Sequence, residues 1–302
     1  MKEKKVFAWG DYTLSTDEIL TFKLEPILSV YMQKVANEVW IANEHINEEE
    51  LDGSESSGQQ WSVEAQQESS GKQVDKSELS DEPVSETTKK EQKWVLPNGV
   101  SWSRWVLRSN EFELSITPIF PELPFVVRPE YDFHLLPQAK ATIYVRIPVT
   151  LQIFDKKAGN LKIAEIPSLK LSRTWFGEFT DGEMCYWFKT TARRTISDEI
   201  HKPHLCVCPI HIKNDSDEEL QIDKLCLRAE RLSIYQDNVG LWSDLMTIEY
   251  KGDAQYSDLV VSGNPPAEAK KAKLIGKPRN PVKRGLAQRT FRMFNELHSK
   301  IG

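Results

Sequence analysis

Residues Leu205 to Tyr235 read LCVCPIHIKNDSDEELQIDKLCLRAERLSIY, two alternating apolar runs on either side of a short acidic turn. In the first run Cys206, Cys208, Ile210 and Ile212 recur at period two, and in the second Leu220 and Ile222, then Leu225 and Leu227, do the same. That period belongs to strands with one buried face. Asn214, Asp215, Ser216 and Asp217 lie between the runs, and their short polar side chains bond nearby backbone and favour turns. The expectation is a long β-hairpin with the cysteines facing the core.

The same pattern extends upstream. Ala141 to Phe154 places Ile143, Val145 and Ile147 on one face, and Pro148 marks a bulge or a crossing at a sheet edge. Leu169 to Arg194 is the most aromatic region, and its Asp181-Gly182 pair predicts a two-residue hairpin turn that sets Phe176 opposite Trp187. Trp102 to Ile116 reads as another hairpin, turned at Ser109 and Asn110. Nearer the N-terminus the segments VFAW, ILTFKL, ILSVYM and VWIA predict three or four strands, with a helix as the alternative for the VYMQKVANEVWIA run. Short strands follow at Val239 to Trp242, Leu245 to Tyr250 and Tyr256 to Val261. The predicted fold class is all-β, an antiparallel β-sandwich or two sandwich-like units, closed by a C-terminal amphipathic helix.

Two charged segments frame this core. Glu48 to Glu91 carries thirteen acidic and four basic residues and few aliphatics. Such a composition cannot bury enough surface to offset ~1–2 kcal/mol of backbone entropy per residue, and disorder is expected. Lys270 to Lys300 holds ten Lys or Arg and a single acid, Glu296. From Leu286 to Ile301 its apolar residues fall on one arc at helical spacing. The expected organisation is therefore residues 1–47 as N-terminal strands of the main fold, 48–93 as a disordered acidic insertion, 94–264 as the sandwich core and 265–302 as a basic linker and helix.

A chain of 302 residues, 39% hydrophobic and 28% charged, suffices for one large or two ordinary cores. Its formal charge of −6 gives no bulk attraction to nucleic acid or anionic lipid, so either kind of binding requires a local patch. No apolar run approaches the ~18 residues of a membrane-spanning helix, and the N-terminus lacks a signal-peptide core. A cytoplasmic location follows as the expectation, with Cys185, Cys206, Cys208 and Cys226 reduced.

The sharpest cluster of metal-ligating types is His201, His204, Cys206, Cys208 and His211. Strand alternation turns the cysteines to one face and His211 to the other, which disfavours a tetrahedral site, so neither a metal nor another cofactor is expected. Glycine-rich phosphate loops, nucleophile elbows and HExxH are absent. Polar groups near the aromatic hairpin, Arg173, Glu178 and Glu183 with Trp175, together with Arg128 and Glu130, form a candidate ligand pocket. The same carboxylates near Arg173 define an enzymatic alternative should burial split their pKa values. Lys283, Arg284, Arg289 and Arg292 are the candidates for contact with an anionic surface or a partner. The leading reading is a non-enzymatic interaction or ligand-binding module. A protein partner is the first expectation, an anionic membrane surface the second and nucleic acid the least favoured.

The segments FVVRPE, YVRIPVTLQIF, LSRTWFG followed by GEMCYWFKTTARR, CPIHIKNDSDEELQIDKLCLRAERLSIY and GLWSD span most of Phe125 to Asp244. In this order they resemble the archaeal and bacterial family called domain of unknown function 432. The resemblance implies no activity, cofactor or catalytic residue. It does imply a genomic neighbourhood shared with mechanosensitive channels, which makes the basic helix a candidate for contact with a membrane or a channel. The long acidic insertion departs from the compact family pattern.

Overall fold

The computed structural model describes residues 2–6, 8–16, 18–46, 100–108, 111–131, 133–177, 179–180, 182–196, 200–222, 224–252, 257–281 and 288–291. The acidic insertion lies outside them. Among the described residues the chain forms twenty-three strands and no α-helix.

Two hydrophobic cores organise the strands. The first lies between a five-stranded and a four-stranded sheet. The five-stranded sheet runs β1 (Lys2–Val6), β3 (Glu18–Leu24), β4 (Leu28–Val35), β5 (Glu38–His45) and β6 (Ser103–Val106). The four-stranded sheet runs β12 (Leu161–Pro167), β11 (Thr150–Asp155), β7 (Leu114–Ile119) and β2 (Gly10–Tyr12). Leu20, Phe22 and Leu24 alternate inward from β3, as do Leu28, Val30 and Met32 from β4, to meet Leu114, Ile116, Leu151 and Ile153. The run that permitted a helix, Val30 to Ala42, is instead the β4–β5 hairpin, turned at Ala36, whose φ is 53°.

The second core lies beneath an eight-stranded sheet: β22 (Lys273–Gly276), β18 (Ile234–Gln236), β19 (Leu241–Ser243), β15 (Leu205–Asn214), β20 (Met246–Tyr250), β21 (Ser257–Val261) and β23 (Gln288–Phe291), with β10 (Lys140–Pro148) also paired to β15. Opposite it stand β13 (Ser172–Phe176), β14 (Glu183–Ala192), β8 (Phe125–Pro129) and β17 (Leu225–Leu227), in that order, and the two-stranded ribbon of β9 (Phe133–Leu135) and β16 (Leu220–Ile222). Ile143, Val145 and Ile147 of β10 share this core with Cys206, Cys208, Ile210 and Ile212 of β15, while His211 points to solvent. Each buried aliphatic side chain contributes roughly 1.5–3 kcal/mol, so this alternation fixes which face of β15 is inside.

Three pairings differ from the sequence reading. β15 does not form a hairpin with β16 and β17; it pairs antiparallel with β10 and parallel with β19 and β20. The acidic turn is an arch that carries the chain from one sheet across the core to the opposite one. Asn214, fully buried, builds it by donating to Leu135 O, Leu136 O and Glu218 O while accepting from Ser216 N and Oγ. β6 and β7, expected to pair with each other, lie in different sheets. The expected C-terminal helix is contradicted where it is described: Gln288 to Phe291 is strand β23, paired with β21. An open edge at β21 satisfies the backbone of a segment containing Thr290 and Phe291, which favour strands, and helical spacing of apolar residues does not reveal such an edge.

Pro148 and Val149 are the crossing point where the chain leaves β10 for β11 and the other core. Trp9, Leu171 and Phe188 pack against both cores and form the seam between them. Arg279 straps this seam. Its Nε donates to Phe120 O at 3.1 Å, and its two terminal nitrogens reach the Glu165 carboxylate at 3.2 and 3.1 Å.

Candidate functional site

The aromatic hairpin is β13 and β14, with a register four residues away from the expected one: Phe176 pairs with Glu183 and Ser172 with Trp187. Gly177, at φ 110°, ends β13 earlier than a two-residue turn would require. Because the offset is even, each residue keeps its predicted face. β8 lies parallel to β14 on its other side, with Trp187 beside Val126, and β17 lies antiparallel to β8, with Cys226 beside Val126.

Alternation then assigns the outer face of this sheet. It carries Ser172, Thr174 and Phe176 from β13, Glu183, Cys185 and Trp187 from β14, Val126 and Arg128 from β8, and Cys226 from β17. The inner-face residues Phe125, Val127, Tyr186 and Phe188 pack on the second core. Val126, Phe176, Cys185 and Cys226 form a small buried cluster of their own. The two sulfurs in it are 3.7 Å apart. The neighbouring Cys185 thiol and burial together push the Cys226 thiol well above its ordinary pKa.

An open groove of about 570 Å³ runs over this face, lined by Val126, Arg128, Trp187, Lys224 and the consecutive residues Ser172 to Gly177. Arg128, Arg173 and Lys224 are its charged lining residues, and no carboxylate occurs among the described residues that line it. The Arg128 guanidinium lies over the Trp187 ring, 5.4 Å from its centroid, an arrangement that holds the cation in place by attraction to the ring face. Arg173 stands opposite Tyr186 in the β13–β14 ladder and hydrogen-bonds with it.

A second cleft follows the seam. It is lined by His45, Glu122, Glu165, Lys170, Arg173, Tyr186 and Arg279, among others, so Arg173 borders both depressions. Burial would raise the Glu165 pKa, but hydrogen bonds from Arg279, Lys162 and Gln152 outweigh it and hold the carboxyl at about 2. Here Glu165 and Arg279 are paired with each other.

Of the residues singled out from sequence, the structure brings Arg128, Arg173 and Trp175 together at the groove. Glu130 follows β8 at the surface, tied by its backbone N–H to Ala192 O at 3.1 Å, and does not line it. Glu183 does not line the groove but lies on the same face of β14 as Cys185 and Trp187, where both its oxygens accept from Arg228 Nη2, at 2.7 and 2.8 Å. Glu178 lies outside the described residues, as do Lys283, Arg284 and Arg292, while Arg289 falls on β23. Trp187 and Lys224 were not anticipated as site residues. Trp187 was legible as part of the aromatic hairpin, but nothing local to Lys224 announces that β17 would bring it to the same face.

Among the described residues no group of three or more His, Cys, Asp or Glu is placed to hold a metal, and no helix is long and apolar enough to cross a membrane. Fold and site together define an all-β protein with two sandwich cores and a cationic, indole-bearing groove on the outer face of one sheet. The chain belongs to the family described as protein of unknown function (DUF432), whose model matches residues 8–295. No curated protein and no solved structure matches it.

Proposed function

We propose that the protein is a non-catalytic binding module whose ligand is anionic and lies in the groove over β13, β14, β8 and β17. The observation that carries this reading is the charge of the lining, whose charged described residues are Arg128, Arg173 and Lys224. A concave, low-dielectric wall lined by one sign of charge concentrates ligands of the other sign. This groove does so within a chain of net charge −6. The binding reading is preferred to the enzymatic alternative because Glu183 is ion-paired with Arg228 and does not line the groove.

Inorganic polyphosphate is a suitable first probe, because it offers charge with no other recognition element. Isothermal titration with the full chain is expected to show binding that weakens with added salt, and the double variant Arg128→Glu, Lys224→Glu is expected to lose about tenfold or more in affinity. Arg128 is exposed on β8 and Lys224 is part-exposed just before β17, so the variant is expected to retain its fold. Equal affinity of variant and parent, or no binding by the parent, overturns the reading.

A further inference from the structure

We propose that the protein forms a symmetric dimer by pairing the open edge of β6 with the same edge of a second copy. β6 ends the five-stranded sheet, and its outer side has no partner strand among the described residues. It is exposed at every residue, whereas each other edge strand whose exposure is described carries buried or half-buried positions. The exposed side chains include Trp105, 40% exposed, and Val106, 71% exposed. Proteins guard such an edge with charge, proline or a bulge. Here the one charged residue, Arg104, is drawn back over its own sheet, its guanidinium 4.1 Å from the centroid of the Trp40 ring.

The backbone determines which residues are open to a partner. Leu107 N donates to Asn37 O, continuing the β5–β6 register in which Trp105 stands beside Val39 and Ser103 beside Ile41. Bonding alternates along an antiparallel strand, so Ser103, Trp105 and Leu107 turn their backbone groups to β5, and Arg104 and Val106 turn theirs outward. Two copies of β6 paired antiparallel about a two-fold axis through Trp105 set Arg104 opposite the partner's Val106, and each such pair exchanges both its N–H···O bonds. The neighbouring registers fail on charge. An axis through Arg104 sets it against the partner's Arg104, and an axis through Val106 sets Arg104 against the partner's Arg108, like charges directly opposite. With the axis at Trp105 the outer face continues from Trp40 and Arg104 to the partner's Val106 and the partner's Glu38, so the guanidinium approaches a carboxylate. This self-complementarity names a second copy as the occupant.

The same register covers apolar surface on the other face. Trp105 lines an open groove of about 430 Å³ between the β6 and β12 edges, beside Ile41, Ile163 and Ile166. On the axis the two Trp105 side chains form a directly opposed, non-hydrogen-bonded pair, the closer kind, and bring apolar surface over both grooves. An edge of four residues is short, so the contact belongs at the weak end of specific interfaces, with dissociation in the micromolar range expected.

The test is sedimentation velocity of the full chain from about 1 µM to about 300 µM, combined with interchain crosslinking. The parent is expected to move from monomer to dimer mass as concentration rises. Val106→Pro removes an outward N–H that the β5 ladder does not use, so circular dichroism is expected to match the parent while the dissociation constant rises about tenfold or more. Trp105→Cys reads the register itself. Opposed Cα atoms of such a pair lie ~4.5 Å apart, within disulfide reach, so oxidised glutathione is expected to couple two chains, two thiols giving one disulfide and two reduced glutathiones. Arg104→Cys, whose symmetry mate lies on the diagonal, is expected not to couple. The four native cysteines are buried. A parent that stays monomeric throughout the range overturns the proposal, as does a dimer that Val106→Pro leaves intact and Trp105→Cys does not crosslink. Coupling through Arg104→Cys in place of Trp105→Cys overturns the register.

Discussion

Removing the carboxylate from the seam is the sharpest test of how the two sandwiches are joined. Glu165 on β12 receives Arg279 through both oxygens, Lys162 Nζ at 2.8 Å and Gln152 Nε2 at 2.7 Å. A carboxyl held at about 2 instead of its ordinary 4.5 bounds its contribution to folding at ~3 kcal/mol. The side chain is 24% exposed, so solvent screening lowers the working figure to about 2 kcal/mol. Because the folded pKa is depressed, this stability is complete above the unfolded value, near 4.5, and is lost as pH falls toward 2. Glu165→Gln keeps the shape and one acceptor but not the charge. Urea unfolding is expected to show the variant about 2 kcal/mol less stable than the parent at neutral pH, with the gap closing as the parent's carboxylate is protonated between about pH 4.5 and 2. A gap that is constant with pH, or absent at neutral pH, would refute the argument that charge on Glu165 fastens the seam.

Two further substitutions probe the same architecture. A Cβ on Gly276 of β22 would sit 2.3 Å from the backbone carbonyl oxygen of Pro118 on β7, so Gly276→Ala must part the two sandwiches locally. It is expected to destabilise by about 1–3 kcal/mol, read as a lower denaturation midpoint with the m-value unchanged. Asn214→Ala would remove the amide donor from the carbonyls of Leu135, Leu136 and Glu218 inside the arch, of which Glu218 O keeps Ser216 Oγ. A loss of about 2–4 kcal/mol is expected, and hydrogen exchange should show the β9–β16 ribbon opening before the rest of the second core; a global loss with no local opening would count against the arch as a separate unit.

Strand identity and face were legible in the sequence because alternation is local. Cys206, Cys208, Ile210 and Ile212 announce an inward face wherever β15 is placed, and Ile143, Val145 and Ile147 do the same for β10. Pairing was not legible, because a partner strand is chosen by non-local contacts. The acidic turn after Asn214 looks identical whether the chain returns beside β15 or crosses to the opposite sheet. Only the buried amide of Asn214, satisfied by backbone from the β9 region, distinguishes the arch. The aromatic hairpin was correct in its faces and wrong in its register, since an Asp-Gly pair advertises a tight turn but does not oblige the strands to extend to it. Helical spacing near the C-terminus likewise says nothing about an open edge at β21. As for the site, Arg128, Arg173 and Trp175 were grouped by type and proximity in the chain. Trp187 and Lys224 join them only because β8 inserts between β14 and β17, an order that no local pattern encodes.

That order also explains why the groove is suited to recognition. Arg128 and Trp187 project from β8 and β14, whose other faces place Phe125, Val127, Tyr186 and Phe188 against the second core. Side chains mounted on strands locked from behind lose little freedom when a ligand arrives, so less of the interaction energy is spent on ordering. The seam does not compete for the same charges. Arg279 is consumed by Glu165 and Phe120 O, and Arg173 alone borders both depressions. The two depressions therefore differ in how their cations are held: Arg279 in the seam is fixed by Glu165 and the Phe120 carbonyl, and Arg128 in the groove by the face of the Trp187 ring.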